Sequence, residues 1–454
     1  MKKYDVVIVG ASTAGSYFAR RMAEKGFSVL AIDKSSKEKI SPDYDIFHMG
    51  KAEMEQYGLP KVTEGDGICE FIFTDSSMMS AYGNYPKPSP LTVVGMHKRA
   101  YIQLMNDWAV EAGAEILYNT AFDSLVYNEN GKISGVTYVK ENGEKETVAC
   151  RLVADCSGIP AVVRRSLPEG YGVETFELTS DDILYVVLRY VDFVEKKGRW
   201  LQSQFWLSYK SWLAPSAGSD AILGIGALFG FDHVEKVFEK FTSKSKLPAY
   251  TVKRIERGRT PYHRAPYSFV SDGFIAMGDA ACLTKPNCGE GCTASLALEQ
   301  IAVDVASKAM ENGAYPTREA LWSINKKYND GQGKEFASLM ALLLGIVKHS
   351  DKANEFLFKH DAIFSEKILG GMNEGITIGL GDYLKILVFV VIGIVSGNVK
   401  ISEIKSILEG VINSGKLTAL YEKFPETPDG FEAWVAEAEA MWKKVGKLSD
   451  WKQI

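Results

Sequence analysis

The sequence predicts an α/β chain: a Rossmann-like domain on a parallel sheet, an inserted antiparallel β-sheet domain, and a helical C-terminal region. Three observations carry this. "YDVVIVG", "AGSYFARRMAEKG" and "SVLAID" succeed one another as buried strand, amphipathic helix with a glycine stop, and second strand, a βαβ unit that implies a parallel sheet. Between Glu70 and Val94, and again from about Asp181 to Val270, short aromatic and β-branched segments alternate with turn residues. "DDILYVVLRYV", "SQFWLSY" and "DAILGIGALFG" read as antiparallel strands. After Cys292 the apolar period turns helical, in "TASLALEQIAVDVASKAMENG" and near the end in "EAWVAEAEAMWKKVG". The expected division is a nucleotide domain over 1–75, 95–165 and 268–330, an inserted sheet domain over 76–94 and 166–267, and a helical domain over 331–454.

Composition narrows the function. A net charge of -5 leaves no basic surface to track phosphates, so nucleic acid is not an expected partner. "MKKYDVVIVG" is too short in its apolar run for a signal peptide and closes on glycine, which makes it a first strand. The most lipophilic stretch, "LKILVFVVIGIVSG" from Leu384 to Gly397, has an uninterrupted part about half of the ~20 residues a spanning helix needs. It reads first as a core helix and second as a helix touching lipid. The 6 cysteines, without an export signal, read as free thiols of a reducing cytosol. Cys282, Cys288 and Cys292 cluster but lack a fourth ligand and any ferredoxin or zinc spacing, and the histidines are scattered, so no metal is expected.

The first strand runs into "GASTAGSYFA", a G-x-S-x-x-G version of the dinucleotide fingerprint. Gly10 permits the tight turn, Gly15 the close packing of helix on strand, and Ser12 replaces the middle glycine with the smallest hydroxyl. Gly10, Ser12, Ala14 and Gly15 therefore surround a helix N-terminus that offers N–H groups and a positive dipole to phosphate. Asp33 ends the second strand, where a carboxylate can accept a ribose hydroxyl.

Two further segments select the flavin dinucleotide. "LVADCSGIPAVVRRSL" carries Asp155-Cys156-Ser157-Gly158 before Arg164 and Arg165, and "SDGFIAMGDAACLTKPNCGEG" carries Gly278-Asp279, then Pro286 and Gly289-Glu290-Gly291. Together they resemble the second and third FAD signatures of the para-hydroxybenzoate-hydroxylase-like flavoproteins, over roughly the first 310 residues. Asp279, at a strand's carboxyl end, is placed to accept from a ribityl hydroxyl. The glycines precede a long helix whose N-terminus can face the flavin and stabilise negative charge on its reduced form. Arg99, just before a helix, matches the family's arginine near flavin and phosphate. No second fingerprint follows a predicted strand, so electrons are expected from a docking NAD(P)H or from a ferredoxin-like carrier.

Within the insert, "YKSWLAPSAGSDAILGIG" resembles the Y-x-W-x-F-P…G-x-G motif of geranylgeranyl reductases, through Tyr209, Trp212, Pro215, Gly224 and Gly226. The helical tail is also similar to that family's. The resemblance implies FAD-dependent saturation of isolated double bonds in a polyprenyl chain of a lipid or diphosphate. It also implies a tunnel for that chain shaped by the motif, and a cytoplasmic enzyme in peripheral contact with the inner face of the membrane. The chain departs from the pattern at Lys210 and Ala214, and more seriously where the family has Pro-Cys-Gly after the second strand. Here the segment is "SPDYDIFHMG", so Asp43, Tyr44 or His48 is the candidate for handling the proton. Rival readings are a flavin monooxygenase or halogenase, and a flavoprotein passing electrons to quinone. Whether Cys288 and Cys292 change redox state stays open.

Overall fold

The chain opens with β1 (Val6–Val9), α1 (Thr13–Glu24) and β2 (Val29–Ile32), with all four residues of each strand buried. The structure is a computed structural model that describes residues 1–41, 45–74, 76–89, 92–195, 201–206, 209–216, 218–245, 247–362, 365 and 380–447. There follow β3 (Ile46–Gly50), α2 (Lys51–Gln56), β4 (Cys69–Phe73), β5 (Ser76–Met79), β6 (Lys87–Ser89) and β7 (Val93–His97). Next come α3 (Lys98–Glu111), β8 (Glu115–Leu117), β9 (Thr120–Tyr127), β10 (Ile133–Lys140), β11 (Lys145–Ala149) and β12 (Leu152–Asp155). The insert supplies β13 (Ile183–Phe193), β14 (Leu201–Trp206), β15 (Tyr209–Ala214), β16 (Ala221–Ala227), α4 (Phe231–Lys244) and β17 (Tyr250–Pro261). The chain returns through β18 (Val270–Ser271) and β19 (Phe274–Ala276) to α5 (Cys292–Ala309). It ends in α6 (Arg318–Leu321), α7 (Ser323–Tyr328), α8 (Lys334–Ile346), α9 (Asp351–Lys359), α10 (Leu380–Val395), α11 (Ile401–Tyr421) and α12 (Phe431–Val445).

A six-stranded sheet in the order β18-β19-β12-β1-β2-β8 is parallel except at β18. β1, β2 and β19 are apolar and buried throughout because both faces are covered there. Phe18 and Met22 of α1 and Leu298 and Ala302 of α5 pack in the same core as Ile133, Val136 and Val148 of the β9–β10–β11 meander. The meander leaves no motif in the sequence, and the reading above has no place for it.

The insert forms a seven-stranded sheet, β17-β13-β16-β15-β14-β5-β6, antiparallel save where β5 joins β14 in parallel. On one face Val187, Leu223 and Ile225 pack against Val234, Phe238 and Phe241 of α4. A third, small sheet, β3-β7-β4, lies between the two larger ones. Alternation gives it two characters. Phe47, Met49, Cys69, Val94 and Met96 join Tyr101 and Met105 of α3 in a core, while Ile46 packs instead with Val186, Leu188 and Tyr190 of the seven-stranded sheet.

In the C-terminal region α8 and α11 cross closely, since a Cβ on Gly345 would lie 2.7 Å from Ser406 O. α9 is fastened to the β5–β6 hairpin, where Ala81 N–H donates to Asn354 Oδ1 and Tyr82 N–H to Glu355 Oε1, each at 2.8 Å. α10 rests on α9 through Phe389, which stacks on His360 at 4.7 Å. Its other side is uncovered: Leu387 is 60% exposed, Val391 51% and Val395 83%. The expectation of a core helix from Leu384 to Gly397 is therefore corrected. Among the described residues α10 packs on α9 and Val399, and one face of an apolar helix remains open.

Candidate active site

The parallel strands end together, and there the three signature segments meet. Gly10 has φ +103°, and a Cβ on it would lie 2.2 Å from Cys156 O, so the exits of β1 and β12 touch at a bare backbone. A Cβ on Gly15 would lie 1.8 Å from Gly10 O, which fixes α1 directly on the turn. Ser12 is the extended N-cap of α1 and makes no side-chain cap. Ala14 meets the third segment, where a Cβ on Gly278 would be 3.0 Å from Ala14 Cβ. Asp33 accepts the Ala11 N–H at 2.9 Å and the Ser35 N–H at 2.8 Å, which leaves each oxygen a further lone pair for a hydroxyl.

The third segment leaves β19 by the turn Gly278–Ala281. A Cβ on Gly291 would lie 3.1 Å from Asp279 Oδ1, so Asp279 sits at the N-terminus of α5. The loop between is closed by Gly289 N–H donating to Lys285 O and Lys285 N–H to Glu290 O, both at 2.8 Å. Glu290 accepts from the Thr293 hydroxyl. The Tyr262 hydroxyl donates to Pro286 O at 3.1 Å and ties the loop to the chain leaving β17. α1 and α5 run side by side in the same direction. The Thr13 hydroxyl donates to Cys292 Sγ at 3.7 Å at their starts, and the Tyr17 hydroxyl to Gln300 Oε1 at 2.6 Å further along. Neither helix has an acidic residue in its first turn, and the positive ends of the two helices lie together at the exits of the sheet. An FAD would meet here two helix N-termini for its pyrophosphate, the Asp33 carboxylate for a ribose hydroxyl and Asp279 for the ribityl chain.

Arg99 is the second residue of α3, exposed, with Nε donating to Ile40 O at 3.3 Å. Asp155 is fully buried, and its two oxygens accept Ser157 N–H at 3.0 Å and Arg164 N–H at 2.7 Å. Its visible work is to fold the 156–164 loop, which presents Cys156 O to Gly10. Buried Arg164 then bridges to the third segment, donating to Ala280 O at 2.8 Å. The sequence reading placed Asp155 among cofactor contacts and did not foresee this bracket.

The seven-stranded sheet meets the Pro286–Gly291 loop through Leu184. Val186, Leu188 and Ile222 are buried against Ile46, with Trp212 partly buried beside them. The motif glycines have a packing reason. A Cβ on Gly224 would fall 2.2 Å from the Trp212 ring, and one on Gly226 3.1 Å from Leu184 Cδ2. Leu184 in turn reaches the loop, 3.2 Å from where a Cβ on Gly289 would be. Pro215 is buried just beyond β15, and Tyr209 pairs its backbone with Ala227, its side chain lying outside the described residues. Asp43 and Tyr44 also lie outside them. His48 is opposite Gly95 on β7, its Cδ2 3.4 Å from where a Cβ would be, and it shares its face of β3 with Ile46.

Among the described residues no three His, Cys, Asp or Glu side chains gather as metal ligands, and the six cysteines are free. Burial pushes the Cys292 thiol up to about 11, so beside α1 it is a thiol and not a thiolate.

Two helix ends over a parallel sheet, roofed by an apolar antiparallel sheet, define an FAD-dependent oxidoreductase. Residues 3–205 match the FAD binding domain family. The chain is 25% identical over 345 residues to a digeranylgeranylglycerophospholipid reductase of Methanocella arvoryzae, covering 72% of this chain and 86% of the relative. It is 22% identical over 472 residues to one of Sulfolobus acidocaldarius, covering 98% of each. Among solved structures, a geranylgeranyl bacteriochlorophyll reductase-like protein of Thermoplasma acidophilum superposes with TM-score 0.71 at 18% identity, over 85% of this chain and 96% of that one. A flavin-dependent brominase superposes with TM-score 0.62 at 16% identity, over 86% and 98%. Both structural likenesses are likenesses of fold.

Proposed function

We propose that the protein saturates isolated double bonds of a polyprenyl chain carried by a lipid or diphosphate. The observation that carries this reading is the buried apolar cluster of Val186, Leu188 and Ile222 with the half-buried Trp212, on the sheet whose Leu184 reaches the loop at the start of α5. Such a cluster suits methylenes, each worth roughly 0.8 kcal/mol when buried, and excludes water from a reduced flavin. When bound, reduced FAD supplies the hydride. This chain's residues then keep solvent out and provide the proton. His48 is the described residue on the right face of β3 to hold that proton, with Asp43 and Tyr44 as its alternatives. The electrons come from NAD(P)H or from a ferredoxin-like carrier. The test is anaerobic: flavin reduced with dithionite is expected to reoxidise when a geranylgeranyl lipid or diphosphate is added, with a mass gain of about two per double bond. A flavin that stays reduced with every polyprenyl compound sinks the reading. Peroxide-dependent hydroxylation or halogenation of the product would favour the monooxygenase fold relatives instead.

Such substrates reside in bilayers, and α10 suits one. No helix among the described residues is long and apolar enough to cross a membrane. Yet from Ile386 to Val399 the chain carries no charge, Lys385 and Lys400 bound the segment, and Leu387, Val388, Val391, Ile392 and Val395 share one exposed face. A charge-free face between two lysines is what an interfacial helix presents to acyl chains and anionic head groups. α9, to which α10 is docked, is fastened to the β5–β6 hairpin, so this face sits at the side of the seven-stranded sheet remote from β17. The doubly substituted Val391→Asp, Val395→Asp protein is expected to sediment with anionic phospholipid vesicles at least about tenfold less than the parent, with its melting temperature unchanged. Equal sedimentation, or none by the parent, refutes lipid docking. A parent dimer that the substitutions dissociate assigns the face to self-association.

A further inference from the structure

We propose that a cavity between the Gly278–Pro286 segment and the C-terminal helices binds an uncharged planar ring that carries carbonyl oxygens, a quinone by class. The cavity has a volume of about 460 Å³, within the range of small-molecule sites. Cys282, Thr284 and Pro286, on the way from β19 to α5, form one part of its wall. Asn329 forms another, at the start of a π turn, Asn329–Gly333, that joins α7 to α8. Single π turns recur at functional sites. This one is tied to the flavin side of the molecule, since Gln332 Nε2 donates to Ala294 O at 2.7 Å in the first turn of α5.

The wall favours a flat ring. Met340 of α8 and Trp434 and Trp442 of α12 line it, and aromatic faces and a thioether pack well on planar ligands. It also favours a neutral one. Of the lining residues Arg264 alone is charged, and Glu174 holds both ends of its guanidinium, at 2.9 and 2.6 Å. The same guanidinium lies 3.6 Å from the centre of the Tyr267 ring, so it is engaged on its face as well as its edge. Burial holds His263 below its ordinary range, and its imidazole is uncharged at neutral pH.

What the cavity has in surplus is hydrogen-bond donors. The Tyr267 hydroxyl is buried with no partner among the described residues. The Tyr421 oxygen accepts Trp442 Nε1–H at 3.2 Å, which leaves the proton of Tyr421 to be given. Burial pushes both phenols up, Tyr421 to about 12, so both remain donors at neutral pH. A buried donor without an acceptor costs about 1–3 kcal/mol, and a carbonyl oxygen removes that cost. A hydrocarbon tail brings no acceptor, and an anion meets no cation that is not already paired. A quinone brings two acceptors, no charge and a flat ring.

Equilibrium dialysis of oxidised, FAD-loaded protein against duroquinone tests the site. Every ring carbon of this probe carries a methyl group or an oxygen, so the Cys282 thiol finds no open position to attack. The doubly substituted Tyr267→Phe, Tyr421→Phe protein is expected to bind duroquinone at least about tenfold more weakly than the parent, because two donors are lost and the rings stay. Met340→Trp, which fills the cavity from α8, is expected to weaken binding at least as much, and it decides the matter if the double variant melts early. No binding by the parent, or binding that a folded variant leaves unchanged, overturns the proposal. Displacement of duroquinone by geranylgeraniol assigns the cavity to a polyprenyl chain and overturns it too. The dialysis involves no turnover, so a protein that saturates no alkene loses the reductase reading and keeps this one.

Discussion

Gly10→Ala is expected to yield protein without bound flavin, its affinity for FAD down by at least about 100-fold and its fold weakened by roughly 3 kcal/mol or more. The backbone at Gly10 sits at φ +103°, which L side chains rarely adopt, and the added methyl would need to stand 2.2 Å from Cys156 O. Neither partner can yield cheaply. Cys156 O is held by the loop that Asp155 and Arg164 fold, and its own N–H donates to Val9 O at 2.9 Å. Moving Gly10 instead shifts the carbonyl against which Gly15 packs, and α1 turns its N-terminus away from the cleft. Ser12→Gly makes the control: Ser12 gives no cap, so flavin binding should survive within about a few tenths of a kcal/mol. Absorbance of bound flavin, calorimetric affinity and thermal melting read both variants. A Gly10→Ala protein that is yellow and melts with the parent would contradict the assignment of this turn to the dinucleotide.

What the sequence could disclose is what depends on neighbours in the chain. Val6–Val9 and Val29–Ile32 are uninterrupted apolar runs because parallel strands are buried on both faces, and Gly10 and Gly15 stand at points where backbones touch. The relations that make the cleft an active site join distant residues. Leu184 reaches Gly289, and Asp45 is held by Glu256 from 211 positions away. No local period encodes such contacts. α10 failed differently: hydropathy measures how apolar a helix is and says nothing about how many neighbours the fold supplies to cover it. Asp155 shows a third limit, since its place in a signature does not tell whether a carboxylate faces a ligand or, as here, two N–H groups of its own loop.

Glu299→Gln is expected to stabilise the protein above pH 8 by up to about 4–5 kcal/mol and by less than about 1 kcal/mol at pH 5. Glu299 lies on α5, two turns from its N-terminus, with no exposure to solvent. Neither carboxylate oxygen meets a donor at bonding geometry, and the Ser295 hydroxyl is given to Cys292 O at 3.1 Å. Burial pushes the carboxyl up to about 8, against a small opposing pull from Ser295. In the unfolded chain it titrates near its ordinary value of 4.5. Between those two values the native state holds a proton that the unfolded state has lost, so stability falls as pH rises through the window and flattens above it. Glutamine keeps the shape, removes the titration and abolishes that slope. The consequence reaches the cleft. At neutral pH Glu299 is mostly uncharged, so no buried anion opposes the positive end of α5, and flavin affinity of the glutamine variant should match the parent's at pH 7. Above pH 8 the parent carries a buried charge on the helix that faces the flavin and the variant does not, so FAD affinity should separate in the variant's favour. Denaturant melts of both proteins from pH 5 to 9, with flavin titrations at pH 7 and 9, measure the two effects. Parallel stability curves across that range would mean that Glu299 ionises freely in the folded protein.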